Sequence, residues 1–117
     1  MAYNVKGNVI TLTRGDSLFV KVDIYYNGEA YQPEEGDVVR FALKHKSMTS
    51  DKGNYTDSNP IFTKTIPNDT LILQIDPLDT KALPFGDYVY DVQITFADGT
   101  VDTFITASTF RITPEVD

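Results

Sequence analysis

The chain has 117 residues, with 17 acidic and 10 basic side chains, a formal net charge of −7 and no cysteine. This length suits a single domain that buries enough apolar surface to fold without metal or disulfide help. The missing cysteines exclude disulfides and thiolate chemistry, and the negative charge disfavours nucleic acid and anionic membranes as partners. We therefore expect one domain over residues 1–117.

Apolar and polar side chains alternate through the first half of the chain, which is the period of a half-buried strand. "NVITLT" predicts a first strand, and the turn "RGD" follows it. "SLFVKVDIYY" predicts a second strand, whose core-facing residues are Leu18, Val20, Val22 and Ile24 and whose outward residues are Phe19, Lys21, Asp23 and Tyr25. Asn27 and Gly28 predict a type I′ hairpin turn, and "VVRFALKH" predicts the next strand.

The stretch from Lys46 to Pro60 has no periodicity and is predicted to be a long loop. "IFTKTI" and "TLILQI" then predict two strands joined by a turn. "DPLDTKALP" carries the one helical signal, with Asp76 as a candidate cap and Pro77 at the first helical position. Residues 114–117 are expected to form a frayed tail.

The segment "LPFGDYVYDVQITFADGTVDTF" predicts a long hairpin whose turn is Asp98-Gly99. A two-residue loop would pair Ala97 with Thr100, Phe96 with Val101, Ile94 with Thr103 and Val92 with Ile105. In that register Phe104 faces outward. Phe110 and Ile112 have the opposite parity, so we predict a bulge near Ala107 to Thr109.

About seven main strands at near-regular spacing predict an all-β fold, an immunoglobulin-like antiparallel β-sandwich with one short helical turn. Tyr88 lies near the start of the penultimate strand, where such domains place a tyrosine corner. Tyr90 then takes the position of the second cysteine of an antibody domain.

No residue pattern indicates an enzyme. His45 is the single histidine, and the chain has neither a cysteine nor a G-x-S-x-G motif to serve as its nucleophile. The adjacent Glu34 and Glu35 diverge in a turn and do not form a glycosidase pair. We expect no catalytic residue and no cofactor.

Three acidic segments carry oxygen ligands that calcium could use. "DKGNYTD" from Asp51 to Asp57 lacks the spacing and closing glutamate of an EF-hand loop. The pairs Asp76/Asp79 and Asp98/Asp102 each offer two carboxylates, but helix capping and the hairpin turn explain Asp76 and Asp98 more simply. We therefore predict no metal site. "RGD" is also an integrin-recognition tripeptide, although Gly15 is explained by the turn between two strands.

Aromatic side chains at outward-facing positions suggest an interaction surface. The candidate interface residues are Phe19, Tyr25, Asp91, Gln93 and Phe104. Ordinary cross-strand packing is the alternative, and a sugar-stacking platform is a further one that the absence of tryptophan weakens.

Three blocks carry a family resemblance: "LTRGDSLFVKVDI", "YQPEEGDVVRFALK" and "IDPLDTKALPFGDYVYDVQITFADGTVDTFITASTFRITPEV". They resemble small prophage-encoded immunoglobulin-like proteins of Gram-positive gut bacteria, which are similar to the N-terminal domain of the phage baseplate upper protein. The segment from Lys46 to Pro60 departs from that pattern by its length.

The resemblance implies a non-enzymatic structural module of a phage tail or baseplate. Its partners would be other phage structural proteins or further copies of itself. With no signal peptide visible, the expected location is the bacterial cytoplasm before assembly and the phage particle afterwards. The alternative is a carbohydrate- or cell-surface-binding module that uses the 46–60 loop to hold a glycan.

Overall fold

The computed structural model describes residues 3–26, 28–45 and 60–114, and the side chains of residues 3–6 and 26 are not described. The predicted loop from Lys46 lies outside the described residues except for Pro60, and so does the predicted tail except for Pro114. The described elements, in chain order, are β1 Tyr3–Lys6, β2 Val9–Thr13, β3 Leu18–Lys21, β4 Tyr25–Tyr26, β5 Glu29–Ala30, β6 Val38–His45, β7 Phe62–Ile66, β8 Ile72–Ile75, α1 Pro77–Thr80, β9 Gly86–Thr95 and β10 Val101–Thr113.

The strands form a β-sandwich of one large and one small sheet, and β4 and β5 form a separate two-stranded sheet. The large sheet has six strands in the order β1-β2-β10-β9-β6-β7, and β3 and β8 form the small sheet. All described strand pairs are antiparallel except β2 and β10, which run parallel from the pair Ile10–Phe110 to the pair Thr13–Thr113. The predicted first strand is β2, and it therefore belongs to the large sheet. It does not pair with β3, whose strand partner among the described residues is β8.

The core lies between the two sheets and follows the predicted alternation. Side chains at Leu18, Val22 and Ile24 are buried, whereas Phe19 and Tyr25 are exposed. The ring of Phe41 stacks on the ring of Tyr90 with 5.3 Å between centroids. Each fully buried side chain of this size stabilises the fold by about 1.5–3 kcal/mol relative to exposure, so this layer dominates the packing.

The predicted second strand is interrupted. Its core-facing pattern is correct, but the strand ends at Lys21 and resumes as β4 at Tyr25. Between β4 and β5 the pairs Tyr25–Ala30 and Tyr26–Glu29 leave a two-residue loop, as predicted. Gly28 has φ 82°, and Asn27 lies outside the described residues. The sequence did not predict β1.

The predicted register of the long hairpin is wrong at its turn. The Phe96 N–H donates to the Thr100 carbonyl, so the loop has three residues and Val101 pairs with Thr95. A first irregularity, between Thr103 and Ile105, restores the predicted pair Val92–Ile105. The turn and the irregularity thus compensate for one another, and only the tip of β10 is displaced by one residue.

A second register shift falls between Ile105 and Ser108. It includes Ala107, at the near edge of the predicted bulge. The shift turns Phe110 and Ile112 into the core, where both are buried. Because of this shift, the odd-numbered Ile105 faces the core before it and the even-numbered Phe110 and Ile112 face the core after it. A strand without a bulge could not do both.

A tyrosine corner ties the connection before β9 to the strand. The Tyr88 hydroxyl donates to the Pro84 carbonyl oxygen at 2.7 Å, the hydrogen bond that the sequence predicts. Tyr88 is buried, and burial raises the pKa of its hydroxyl above the usual value. The nearby Tyr90 hydroxyl donates to the Asn8 carbonyl oxygen, and burial raises its pKa to about 12.

Replacing Tyr88 by phenylalanine removes this hydrogen bond and leaves the ring. We expect Y88F to lower the free energy of unfolding by about 1 kcal/mol, which corresponds to a fall in Tm of roughly 5 °C. Thermal unfolding followed by circular dichroism measures the change. Y25F removes an exposed hydroxyl and serves as the control, with an unchanged Tm. Equal Tm values for Y88F and wild type would show that the corner does not stabilise the fold.

Candidate interaction site

His45 and the consecutive glutamates Glu34 and Glu35 lie at the surface. His45 is exposed at the end of β6, and its ring centroid lies 5.8 Å from that of Tyr88. Glu34 and Glu35 are both exposed in the loop before β6, and the backbone N–H of Glu34 donates to the Asp37 carboxylate.

The carboxylates of Asp76 and Asp79 are held by protein groups. Lys64 Nζ lies 2.7 Å from the Asp79 carboxylate and 3.4 Å from that of Asp76. The Asp76 N–H donates to Asp79 Oδ2 at the start of α1, which begins at Pro77 as predicted. The hydrogen bond to Asp79 is the main reason that the pKa of Lys64 lies above its usual value. A cation would have to displace this ammonium group.

The other acidic pair is Asp98 and Asp102, and the carboxylate of Asp98 is engaged by its own turn. Asp98 Oδ1 accepts the Thr100 N–H at 2.9 Å, and this hydrogen bond is the main reason that the pKa of Asp98 is lowered. Asp102 lies further along, exposed at the start of β10. Among the described residues no cluster of three or more histidine or acidic side chains could hold a metal ion. The candidate segment from Asp51 to Asp57 lies outside them.

The "RGD" tripeptide forms the turn between β2 and β3. Gly15 has φ 83°, and its N–H donates to the Thr80 hydroxyl at 3.0 Å. The Arg14 guanidinium donates to the Leu83 carbonyl oxygen and lies 4.2 Å from the centroid of the Phe85 ring. These contacts fold Arg14 back onto the protein, so the tripeptide has a structural role in this turn.

Asp37 links two loops at one end of the sandwich. Its carboxylate accepts the Tyr31 hydroxyl at 2.7 Å, the Glu34 N–H at 2.8 Å and the Ala97 N–H at 3.1 Å. Asp37 is 7% exposed. The hydrogen bond from the Glu34 backbone, followed by that from Tyr31, holds the pKa of this carboxyl below its usual value of 3.8. The ionised form therefore joins the loop before β6 to the β9–β10 turn.

This arrangement makes stability depend on pH. A carboxyl whose pKa is lower in the folded chain stabilises the fold above its unfolded pKa, and the contribution disappears as pH falls through the folded pKa. We expect D37N to lower Tm at pH 7 and to weaken the loss of Tm between about pH 4 and pH 2. D69N, at an exposed turn, is the control and should follow the wild-type acid profile. Parallel acid profiles for D37N and wild type would contradict the role of Asp37.

Exposed apolar side chains lie together on the outer face of the small sheet. Phe19 is 52% exposed and Ile72 is 38% exposed. Their strands pair as Phe19–Gln74 and Lys21–Ile72, so the two side chains are diagonal neighbours on one face. We call Phe19 and Ile72 the outer patch. The sequence predicted Phe19 but missed Ile72, because "TLILQI" places apolar residues on both faces.

The remaining candidate interface residues are on other surfaces. Asp91 and Gln93 lie on the outer face of the large sheet, on the opposite side of the sandwich, opposite Ala42 and Arg40 on β6. The Asp91 carboxylate lies 3.4 Å from Lys44 Nζ, and both Asp91 and Gln93 are half-buried. The predicted interface is therefore divided between two faces.

Phe104 does not face outward. It is half-buried and packs against the core. The three-residue turn moves the tip of β10 by one residue, so that Asp102 and not Thr103 lies opposite Ile94 and the predicted faces are reversed there. Phe104 lines a cleft of about 370 Å³ between the edges of the two sheets, together with Tyr25, which is 63% exposed. The sequence did not predict this cleft. Its walls come from several strands, and the alternation of apolar and polar residues does not show which strands pair.

The two aromatic residues Phe104 and Phe19 should therefore respond differently to truncation. We expect F104A to lower the free energy of unfolding by about 1–3 kcal/mol, less than a fully buried phenylalanine, because its half-buried ring loses core contacts. F19A removes a half-exposed ring and should change it by less than about 0.5 kcal/mol. Urea unfolding of both variants measures the difference. An F104A variant as stable as wild type would show that Phe104 belongs to the surface.

No protein-family model matches the chain, and no curated protein matches it. The described residues contain one helix, α1, of four residues, and no described helix could cross a membrane. The fold places the chain in the class of all-β proteins with a β-sandwich.

Proposed function

We propose that this chain is a non-enzymatic structural module of a phage tail or baseplate that acts through protein–protein contacts. The proposal is supported by the resemblance of its sequence blocks to prophage-encoded immunoglobulin-like proteins. The observation that carries the contact is the outer patch, where Phe19 and Ile72 are exposed side by side on a two-stranded sheet. Large apolar side chains of this kind supply the centre of many protein interfaces.

The surroundings of the outer patch suit a protein partner. Lys21 and Gln74 share this face, so polar groups border the apolar centre. An apolar centre with a polar rim is the usual organisation of an interface. Phe19 is the larger and the more exposed of the two side chains of the outer patch, which makes it the principal contact.

The contacts of three acidic side chains support a structural role for them in preference to a catalytic one. Asp37 is engaged by three hydrogen bonds, and Asp76 and Asp79 are both held by Lys64. Each carboxylate therefore has a structural role in loop or helix geometry.

The experiment that tests the function is mass spectrometry of particles purified after prophage induction in the source bacterium. We expect the polypeptide in tailed particles at a fixed ratio to the other tail proteins. In the same strain, F19T and I72T should each lower its abundance in particles by about tenfold, a loss of roughly 1.4 kcal/mol of binding.

V38T is the matched control, because it makes an exposed apolar residue polar outside the outer patch. It should leave incorporation unchanged, and all three variants should keep the wild-type Tm. Intact particles that lack the protein while the cell contains it would refute the phage role. Normal incorporation of F19T and I72T would refute the role of the outer patch.

A further inference from the structure

Three connections meet at one end of the sandwich, where hydrogen bonds join them to one another. They are residues 31–37 before β6, residues 67–71 between β7 and β8, and residues 96–100 between β9 and β10. The side chain of Asn68 donates to the carbonyl oxygens of Glu34 and Asp37. The Asp37 carboxylate in turn accepts the Ala97 N–H. We call the surface that these three connections form the loop end.

A pocket of about 320 Å³ opens at the loop end, between the first and the third connection. Its lining consists of Tyr31, Phe96, Asp98 and Thr100, and we call these four residues the corner pocket. The ring centroids of Tyr31 and Phe96 lie 5.8 Å apart, and the two rings meet at 78°. Both side chains are half-buried. The rings therefore form an aromatic corner that is partly open to solvent.

The corner pocket is held in shape by the groups behind it. The Tyr31 hydroxyl donates to Asp37 Oδ2 at 2.7 Å, and the Ala97 N–H donates to Oδ1 of the same carboxylate at 3.1 Å. One carboxylate thus positions the ring of Tyr31 and the turn that carries Phe96. Gly36 approaches this turn so closely that an added Cβ would lie 2.9 Å from the Ala97 Cβ. A site that is organised before binding loses less entropy when a ligand enters.

The loop end is acidic. Its three connections contain no lysine, arginine or histidine, and they carry the carboxylates of Glu34, Glu35, Asp37, Asp69 and Asp98. Among the described residues no cationic side chain lies within ion-pair distance of Asp37 or Asp98. The hydrogen bond from the Thr100 N–H lowers the pKa of Asp98, and the negative charge of Asp37 opposes this effect. The negative charge at the pocket is therefore not offset by a described side chain.

These features favour a planar cation as the occupant. An aromatic ring attracts a cation, and the guanidinium of arginine can stack on a ring while its N–H groups reach a carboxylate. Asp98 lies beside the aromatic corner and accepts one hydrogen bond from the Thr100 N–H at Oδ1. A carboxylate has about four acceptor sites, so acceptor capacity remains for a ligand. A neutral sugar could also stack on the rings, but it would leave the charges of Asp37 and Asp98 without a counter-charge.

We propose that the corner pocket binds an arginine side chain of another protein. The guanidinium lies against the aromatic corner and donates to the Asp98 carboxylate. Asp37 is a positioning residue, because its hydrogen bonds hold Tyr31 and the β9–β10 turn in place. The other carboxylates of the loop end attract basic residues that flank the arginine. This inference concerns a different surface from the outer patch and does not depend on a phage origin.

The test is titration of the full chain with the blocked tripeptide Gly-Arg-Gly at about 0.15 M salt, which screens distant charges. Amide NMR spectra should show saturable changes at Tyr31, Phe96, Asp98 and Thr100, with a Kd of about 10 mM or tighter. The matched tripeptide carries citrulline, the uncharged isostere of arginine, and should bind about tenfold more weakly.

Two variants separate the charge from the ring. D98N keeps an oxygen that can accept the Thr100 N–H and removes the charge, so it should weaken binding of the arginine peptide about tenfold. F96L keeps an apolar side chain but removes the ring, and it should weaken binding about threefold. D69N is the control, because it removes an equal charge at the loop end outside the pocket lining. It should leave the Kd within about twofold of the wild-type value.

Three results would overturn the proposal. The first is the absence of saturable changes at the corner pocket, and the second is equal binding of the arginine and citrulline peptides. Both use the wild-type chain, so neither depends on the folding of a variant. The third is equal weakening by D98N and D69N, which would reduce the effect to the general charge of the loop end.

A titration with N-acetylglucosamine tests the neutral sugar. Saturable changes at the same four amides with this sugar, and none with the arginine peptide, would assign the corner pocket to a glycan instead. None of these results bears on whether the protein is present in phage particles, so the two proposals fail independently.

Discussion

The parallel pairing of β2 with the last residues of β10 is the constraint on which the rest of the structure depends. It draws β2 into the large sheet, from Ile10 opposite Phe110 to Thr13 opposite Thr113. The small sheet is left with β3 and β8 alone. The unequal sheets create two surfaces, which are the outer patch on the small sheet and the cleft beside its open edge.

The register shifts of β10 make this pairing possible. After the shift between Ile105 and Ser108, Phe110 and Ile112 face the core and β2 can align beside them. Before both shifts, the displaced tip of β10 places Phe104 on the inward side, so the same strand contributes a wall to the cleft. Bulges commonly redirect side chains near functional surfaces. The two register shifts of β10 lie between its first residues, which pair with β9, and its last residues, which also pair with β2.

Polar contacts then fix the connections at the two ends. The Tyr88 hydroxyl holds the segment before β9, and Asp37 holds the loop before β6 against the β9–β10 turn. The side chain of Asn68 adds to the second site by donating to the Asp37 carbonyl oxygen at 2.8 Å. Buried or half-buried hydrogen bonds of this kind set loop geometry, while the apolar core supplies most of the stability.

Much of the fold could be predicted because alternation is a local property. The buried positions Leu18, Val22 and Ile24, the hairpin at Gly28 and the helix start at Pro77 all follow from neighbouring residues. The candidate site was predicted less well. Phe19 is exposed as expected, but the outward position assigned to Phe104 was wrong, because a one-residue slip at the turn reverses the faces of the side chains at the tip of β10.

Some features lie beyond local pattern altogether. Leu71 has φ 55°, a left-handed conformation that costs a residue with a side chain about 1–2 kcal/mol. Burial of its side chain and the hydrogen bond from the Val22 N–H to its carbonyl hold it there, and both depend on β3 lying alongside.

The sequence by itself determined the class of fold, the core-facing parities and the tyrosine corner, since each depends on residues close together in the chain. Only the tertiary structure decided the parallel partner of β2, the two shifts of β10, the outer patch and the cleft. These depend on which strand edges meet, and that is set by the packing of the whole core.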